Sequence, residues 1–455
     1  MRGTKSRRAA ATLILLTLAC WSGERAIAQV SFGTAVDLAL RNSDTVQIAL
    51  AEQAKAKAVL AETKDVYIPS VAFGSGLAYT NGFPIGDPSV VRFTGQGLVA
   101  NFSQPSYIRS AKAGYAAATY SLEDVRRQVI HDAAESYAEL DATQKSLAAL
   151  QQEETAAHEF VRITQDRVDS GVQAQLDSKK AQLRAAQVRL RRIDLEGRAD
   201  LLREHLASLT GVPASSFTTD SASIPAFPPP PPTASLRQAA LDSSAAIKSA
   251  YEMAKSKQYQ AHGDHRVEWR PEIDLALQYG YFADFNNYSV YYYKFTNSNI
   301  AAGVQITVPL FNAALRNKAR ESDADAAKAT HQLNLASAQV SEQVLQLSRA
   351  VEQTDAAAEV ARLQHEISSA DLDALQLRAS QGSSGPSGGV VTPNETAGAQ
   401  IQERGLYVDF LNAEWEHTKA ELSLMNATGT LADWAKAALT ATPASTQIAP
   451  ATPHN

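Results

Sequence analysis

Residues 304–319, VQITVPLFNAALRNKA, decide the fold of this chain. Before Pro309, large apolar side chains occupy every second position, at Val304, Ile306 and Val308. A period of two with one apolar face is typical of a β-strand. After Pro309 the alternation stops, and neither Gly nor Pro appears in the next 72 residues. The sequence therefore predicts a strand that leads into a helix about 105 Å long, at 1.5 Å per residue.

The same order of elements occurs twice in the chain, and prolines mark the equivalent places. Pro69 and Pro271 each precede the first strand of a predicted β-hairpin. Pro105 and Pro309 each follow its second strand. Proline is tolerated at the first residue of a strand and in the first turn of a helix. All four prolines are therefore predicted to be strand–helix junctions.

The alignment defines two structural repeats, residues 29–212 and residues 235–437. Each repeat is predicted to contain a helix, a β-hairpin and a long helical hairpin. The predicted hairpin strands are residues 70–81 and 90–103 in the first repeat, and 272–283 and 299–308 in the second. The predicted long helices are residues 106–169, 177–209, 310–381 and 395–428.

Two segments lie outside the repeats. Residues 213–234 are predicted to be a Pro-rich linker, in which the five consecutive prolines Pro228–Pro232 form a stiff, extended polyproline II segment. Residues 438–455 are rich in Ala, Thr and Pro, and they are predicted to be a disordered tail.

Residues 1–28 have the features of a secretory signal peptide. Basic residues precede an apolar run of about 13 residues, too short to span a bilayer, and Ala26-Ile27-Ala28 is a small-x-small cleavage site. Removing the peptide takes five basic residues and one acidic residue from a chain of formal net charge −6, which leaves −10. A chain this acidic is a poor candidate to bind nucleic acid or an anionic membrane surface.

Cys20 is the only cysteine, and it lies inside the predicted signal peptide. Two interpretations stay open. In one, cleavage before Cys20 and acylation of its sulfur produce a lipoprotein, although Thr17 stands where a leucine is preferred. In the other, the cysteine is removed with the peptide. The mature protein then has no thiol, so packing and assembly must supply its stability.

The hairpin strands carry their large apolar side chains on one face and small or polar side chains on the other. The apolar set of the second repeat is Ile273, Leu275, Leu277, Val304, Ile306 and Val308. Two hairpins cannot bury such a face alone. We therefore expect several copies to share one closed barrel, with the apolar set facing lipid and the polar face lining a wet lumen. Tyr67 and Trp269 fit an aromatic belt at a membrane interface. Tyr291–Tyr293 fit either a second belt or an exposed aromatic loop.

The order of elements, repeated twice behind a signal peptide, resembles the TolC-type outer-membrane efflux family. The resemblance spans residues 31–437, and its most specific parts are Val308–Phe311 and the spacing Arg167-x3-Gly171-x5-Asp177. It implies a mainly α fold with membrane β-structure, in which three copies form a 12-stranded outer-membrane β-barrel on a periplasmic α-helical barrel. It also implies an exit duct for a tripartite efflux pump or type I secretion system. The implied partners are a periplasmic adaptor, an inner-membrane pump and outer-membrane lipid.

The resemblance also assigns residues to the periplasmic end of the duct. Asp177 and Glu395 are placed near an acidic entrance gate. The predicted adaptor-docking helix tips contain Arg167, Gly171, Arg378 and Gly382. Other interpretations stay open: Asp177 is also a suitable N-cap, and both arginines also fit solvated helix ends.

Catalysis, a cofactor and a metal are not expected. His262-Gly-Asp-His265 has a spacing that a metal could use, but no third ligand is nearby, so we interpret it as a polar helix end. No nucleophile elbow or phosphate loop is present. A second functional hypothesis is a periplasmic coiled-coil scaffold or adaptor without a pore, since Leu176, Leu183 and Leu190 recur every seven residues.

Overall fold

A computed structural model describes residues 29–78, 90–228, 233–282, 293–381 and 391–440. The predicted signal peptide, Cys20, Gly382 and the tips of both hairpins lie outside these ranges. The chain forms two compact units. Unit 1 contains the described residues of Met1–Val46, Arg126–Asp242 and Glu342–Asn455, and unit 2 contains those of Gln47–Val125 and Ser243–Ser341.

The chain is mostly helical, as predicted. The helices of the first repeat are α1 Phe32–Asn42, α2 Asp44–Asp65, α3 Gln104–Asp169 and α4 Gln175–Thr210. The second repeat has α5 Thr233–Ser243, α6 Ala245–Val267, α7 Ala313–Gln381, α8 Pro393–Thr428 and α9 Leu431–Thr440. Within the described ranges, no helix is both long enough and apolar enough to cross a membrane.

Helix breaks and helix ends fall at equivalent positions of the two sequence repeats. Ser43, with extended backbone angles, separates α1 from α2, and Ser244, with φ −55° and ψ 115°, separates α5 from α6. Serine suits such a break because its hydroxyl can bond the first free amides of the next helix. At the other end of each repeat, Gly211 ends α4 with φ 76° and Gly429 ends α8 with φ 81°. Both are left-handed conformations that glycine adopts without strain.

Unit 2 contains a four-stranded antiparallel sheet in the order β2-β3-β5-β6. Its strands are β2 Ser70–Gly76, β3 Val90–Asn101, β5 Glu272–Phe282 and β6 Ser298–Thr307. The hairpins of the two repeats are joined because β3 pairs with β5 along nearly their whole lengths, with one irregularity between Leu98 and Ala100. β2 is shorter than the predicted strand 70–81, ending at Gly76, and residues 79–81 lie outside the described ranges.

The four junction prolines occupy three different kinds of position. Pro69 and Pro271 immediately precede β2 and β5. Pro105 lies in the first turn of α3, where its missing N–H costs nothing. Pro309 lies between β6 and α7, in a segment that is neither strand nor helix. Only the first three therefore adjoin a strand or helix directly.

Helix α7 begins at Ala313, later than the predicted residue 310. Asn312 sets this start, because its Oδ1 accepts hydrogen bonds from the backbone amides of Ala314 (3.0 Å) and Leu315 (3.3 Å). An asparagine that satisfies these free amides is a strong N-cap. The proline ends the strand, and the asparagine starts the helix.

Residues 213–227, which belong to the predicted Pro-rich linker, contain short elements and lie in unit 1; residues 229–232 of the proline run are outside the described ranges. Within this segment β4, Thr218–Thr219, pairs in parallel with β1, Gln29–Val30. The side chains of Phe217 and Tyr137 are fully buried beside this pair. The Tyr137 hydroxyl donates a hydrogen bond of 2.6 Å to the carbonyl at the end of β1. Aromatic burial of this kind anchors the N-terminal strand.

Residues 438–440 complete α9, so the predicted disordered tail starts too early. Trp434 of α9 packs at 5.1 Å against the ring of Phe32 and stacks at 5.0 Å on Phe227. Its indole N–H donates to the carbonyl of Ala226 at 3.2 Å. Helix α9 thus belongs to the aromatic core of unit 1. Residues 441–455 lie outside the described ranges.

Candidate functional site

The sheet of unit 2 collects apolar side chains on one face. Its register pairs Ile273 with Ile306. Leu275 pairs with Val304 in the same row, and Leu277 continues it. Val304 and Ile306 are each 63% exposed in the single chain. These five side chains therefore share one face of the sheet, on which Ile273 and Leu275 are half-buried and the other three are exposed.

The strands of the first repeat extend this apolar face. Phe93 of β3 pairs with Tyr279 of β5, and Phe73 of β2 pairs with Phe93. The rings of Phe73 and Phe93 lie 5.0 Å apart. Val308, the last predicted member, follows the end of β6 and is also exposed. Contact of these side chains with lipid stays a prediction.

The opposite face of the same sheet is polar. Asp274 pairs with Gln305 on this face. Thr94 pairs with Gln278, and Arg92 lies two residues before Thr94 on the same strand. Because side chains alternate along a strand, each polar residue here is next to an apolar residue of the other face. One sheet thus presents two surfaces of opposite character.

The first helical reversal, between α3 and α4, depends on a left-handed glycine. Gly171 has φ 72°, and a Cβ built on it would meet nothing within 4 Å, so the constraint is conformational rather than steric. The carbonyl of Arg167 accepts the amides of Val172 (2.9 Å) and Gln173 (3.2 Å), which closes the turn. Adaptor docking by these residues is untested, but both have a clear local role.

Asp177 is not the N-cap of α4. The capping position is Ala174, which has no side-chain cap bond, and Asp177 lies one turn further in, partly exposed. A carboxylate in the first turn still interacts favourably with the helix dipole. The next residue, Ser178, is buried and donates its hydroxyl to Gln165 of α3 at 2.7 Å.

Glu395 has a capping role that the sequence analysis missed. Its Oε2 accepts the backbone amide of Thr392 at 2.8 Å, and its own amide donates to Thr392 Oγ1 at 3.3 Å. This reciprocal arrangement is a capping box, and the pattern Thr-x-x-Glu was the signal that could have found it. Arg378 is exposed, and its Nε donates to the carbonyl of Ala374 at 3.3 Å.

The structure brings the two acidic helix starts to the same place on α3. Thr164 Oγ1 hydrogen-bonds to Oδ1 of Asn394, the residue before Glu395, at 2.9 Å. The adjacent Gln165 accepts from Ser178, the residue after Asp177. Two neighbouring residues of α3 therefore hold the starts of α4 and α8.

Two buried glutamates of unit 1 bond basic side chains of a neighbouring helix, and neither contact was predicted from the sequence. Glu153 of α3 is 2% exposed and bonds Arg191 of α4 at 2.6 Å. Burial raises the pKa of the Glu153 carboxyl, although Arg191 acts in the opposite direction. Glu403 of α8 is also buried and lies 3.0 Å from Nε2 of His365 on α7. The first contact connects α3 to α4, and the second connects α7 to α8.

In the motif His262–His265, the side chain of Asp264 is buried, whereas the two histidines lie on the surface. Asp264 is buried and accepts hydrogen bonds from the hydroxyls of Tyr107 (2.6 Å) and Ser322. His262 is exposed, and His265 bonds outward to Asp323 at 2.9 Å. In the part of the chain that the structure describes, no three His, Cys, Asp or Glu side chains are grouped to hold a metal ion. The motif therefore joins α6 to α3 and α7.

Comparison with known proteins gives one matching family and several solved structures of similar fold. Residues 35–212 match the sequence model of the family described as outer membrane efflux protein. No curated protein sequence matches the chain.

Solved outer-membrane channels share the fold of nearly the whole chain. The channel OprN is 17% identical, with a TM-score of 0.70 over 88% of this chain and 90% of that one. CmeC of Campylobacter jejuni is 15% identical, with a TM-score of 0.71 over 88% and 85%. VceC of Vibrio cholerae is 17% identical, with a TM-score of 0.69 over 88% and 96%. These likenesses establish the fold.

The predicted resemblance is confirmed by two independent findings. The family match covers most of the first repeat, and the shared fold covers both repeats. Residues 35–212 are therefore similar to the outer membrane efflux proteins, and both repeats have the fold of solved outer-membrane channels.

Proposed function

We propose that this chain is the outer-membrane exit duct of a tripartite efflux pump or a type I secretion system. The single observation that carries the proposal is the two-faced sheet. Its apolar face is exposed along all four strands, which suits contact with lipid, and its other face is polar, which suits a wet lumen. The helical part would then lie in the periplasm. Catalysis has no place in this function.

The edges of the sheet support a homotrimer. Among the described residues, β2 and β6 each pair with a neighbour on one side only. Exposed edges with an apolar face favour further pairing. Three copies would join β2 of one chain to β6 of the next and close a barrel of 12 strands. The match to solved channels is consistent with this assembly.

The reversals α3–α4 and α7–α8 are the proposed periplasmic tip. In this proposal Asp177 and Glu395 contribute acidic charge to the entrance. Arg167, Gly171, Arg378 and Gly382 shape the tips that dock a periplasmic adaptor, which in turn binds an inner-membrane pump. The starts of α4 and α8 are both hydrogen-bonded to one stretch of α3, which supports a common role of the two reversals at this tip.

Planar-bilayer conductance of the purified protein tests the proposal. We expect a channel that favours cations over anions, because its entrance and the polar sheet face carry carboxylates. A protein that is extracted from membranes without detergent and forms no channel would instead favour a periplasmic scaffold or adaptor without a pore. An anion-selective channel would contradict the proposed acidic entrance.

A further inference from the structure

The end of the sheet that joins the helices exposes apolar side chains. Glu272 and Thr307 form the last pair of β5 and β6, so the chain before one and the chain after the other leave the sheet at the same end. Trp269, Leu310 and Phe311 lie in these two segments and are 64%, 93% and 77% exposed. Neither the sheet nor the helices of unit 2 cover them.

Two arginines at this end rest on aromatic rings. The guanidinium carbon of Arg270 lies 4.7 Å from the ring centre of Trp269 and 5.9 Å from that of Phe102. The guanidinium carbon of Arg316 lies 5.6 Å from the ring centre of Phe311. Such contacts hold a cation at an exposed aromatic surface without neutralising it.

Two other basic side chains near this end of the sheet are paired with carboxylates. Lys318 pairs with Glu321 at 3.0 Å, and His265 pairs with Asp323 at 2.9 Å and with Glu268 at 3.4 Å. Within the described ranges, no carboxylate lies at salt-bridge distance from either stacked guanidinium. Although the whole chain is acidic, this end of the sheet presents two guanidinium groups beside exposed apolar side chains.

We propose that this end of the sheet binds a phospholipid. Arg270 and Arg316 hold the headgroup phosphate, since a planar guanidinium matches phosphate geometry. Leu310 and Phe311 contact the acyl chains. The amides at the start of α7 contribute less, because Asn312 already bonds two of them. This inference rests on the proposed function, in which this end of the sheet lies at the periplasmic-facing leaflet.

The exposed side chains of Leu310 and Phe311 favour a phospholipid over a free phosphate ion as the ligand. A dissolved phosphate ion would leave Leu310 and Phe311 exposed, whereas a phospholipid covers them and neutralises the arginines together. The site is therefore a lipid site, and inorganic phosphate alone should not displace the lipid.

Native mass spectrometry of the detergent-purified full chain tests the site. Phosphatidylglycerol is the main probe, and diacylglycerol, which lacks phosphate, is the control lipid. The Arg270→Gln/Arg316→Gln variant should retain phosphatidylglycerol about five-fold less for each arginine removed. The control variant is Arg349→Gln/Arg362→Gln, which removes two exposed arginines of α7 that pair with Glu352 and Glu366. It should retain the lipid like the unaltered protein.

Three outcomes would overturn the inference. The first is equal retention of phosphatidylglycerol by the site variant and the control variant. The second is retention of diacylglycerol as strong as that of phosphatidylglycerol. The third is a site variant that loses its assembly while its bound lipid is unchanged, because the arginines would then contact another copy. Channel conductance, recorded on the same preparations, separates these results from a failure of the proposed function, which would appear as no channel in any variant.

Discussion

Thr164 of α3 hydrogen-bonds to Asn394 of α8 at 2.9 Å, across 230 residues of sequence. Thr164 is buried, and the next residue, Gln165, accepts the hydroxyl of Ser178 at the start of α4. The starts of both return helices are therefore fixed to one turn of α3. Each fixed residue is adjacent to an acid, Asp177 or Glu395, that we propose for the entrance.

The role of Glu395 in the capping box can be tested separately from the role of its charge. Glu395→Ala should loosen the start of α8 and cost about 1 kcal/mol, because the amide of Thr392 loses its acceptor. Glu395→Gln should cost much less, since glutamine can accept the same bond. Hydrogen–deuterium exchange of residues 392–396 measures the difference. Equal exchange in the two variants would contradict the capping role.

The charge of the entrance can then be tested without disturbing the helices. Asp177→Asn together with Glu395→Gln removes two carboxylates while glutamine keeps the capping box of α8. We expect weaker block of conductance by divalent cations in this variant. The block should be unchanged in a control, Glu352→Gln/Glu366→Gln, on the exposed surface of α7. Unaltered block in the Asp177/Glu395 variant would mean that the two acids serve only their helices.

Adjacent residues of β6 test which face of the sheet meets lipid. Val304→Lys places a charge on the apolar face, and near the bilayer midplane this should cost about 2–4 kcal/mol. Gln305→Lys places the same charge on the polar face, beside Asp274, and should be tolerated. Resistance of the membrane-bound protein to urea extraction measures insertion. An equal loss of resistance to urea extraction in the two variants would contradict the assignment of the faces.

Gly263 allows α6 to approach Tyr107 closely. A Cβ at this position would lie 2.6 Å from the Tyr107 ring, so Gly263→Ala should destabilise unit 2 by about 1–3 kcal/mol. Gly114→Ala is the matched control, because its Cβ would lie 3.5 Å from the Ser256 hydroxyl, an ordinary contact. That substitution in helix α3 should be neutral or slightly stabilising. Thermal unfolding of the two variants gives the comparison, and similar melting temperatures would show that the ring can move aside.

The pair His265–Asp323 should make the contact between α6 and α7 depend on pH. The hydrogen bond to Asp323 raises the pKa of His265 above its ordinary value of 6.5, and the charge of Glu268 adds to this. Because the folded-state pKa is raised, the stabilisation is complete below pH 6.5 and is lost as pH rises through the folded-state value. Hydrogen exchange of α6 should therefore quicken with pH beyond the intrinsic rate. His265→Gln should abolish this extra dependence, whereas His262→Gln, at an exposed position, should keep it.

Local patterns in the sequence determined the elements and the faces of the sheet. The alternation at Val304 and Ile306 predicted which side chains share a surface, because neighbouring residues of a strand point to opposite sides whatever lies around them. The long helices could be predicted from the absence of Gly and Pro, and the first reversal from Gly171. The resemblance to the efflux family rested on the same order of elements, which occurs twice in the chain.

The tertiary structure determines how the segments between these patterns fold and which contacts they make. The sequence predicts residues 213–227 only as part of a Pro-rich linker, yet Phe217 is fully buried beside β1, because burial of aromatic area stabilises this packing. The partners of Asp264, Glu153 and Thr164 come from other helices, and no local period encodes such contacts. Asn312, not Pro309, starts α7, since only its side chain bonds the first amides.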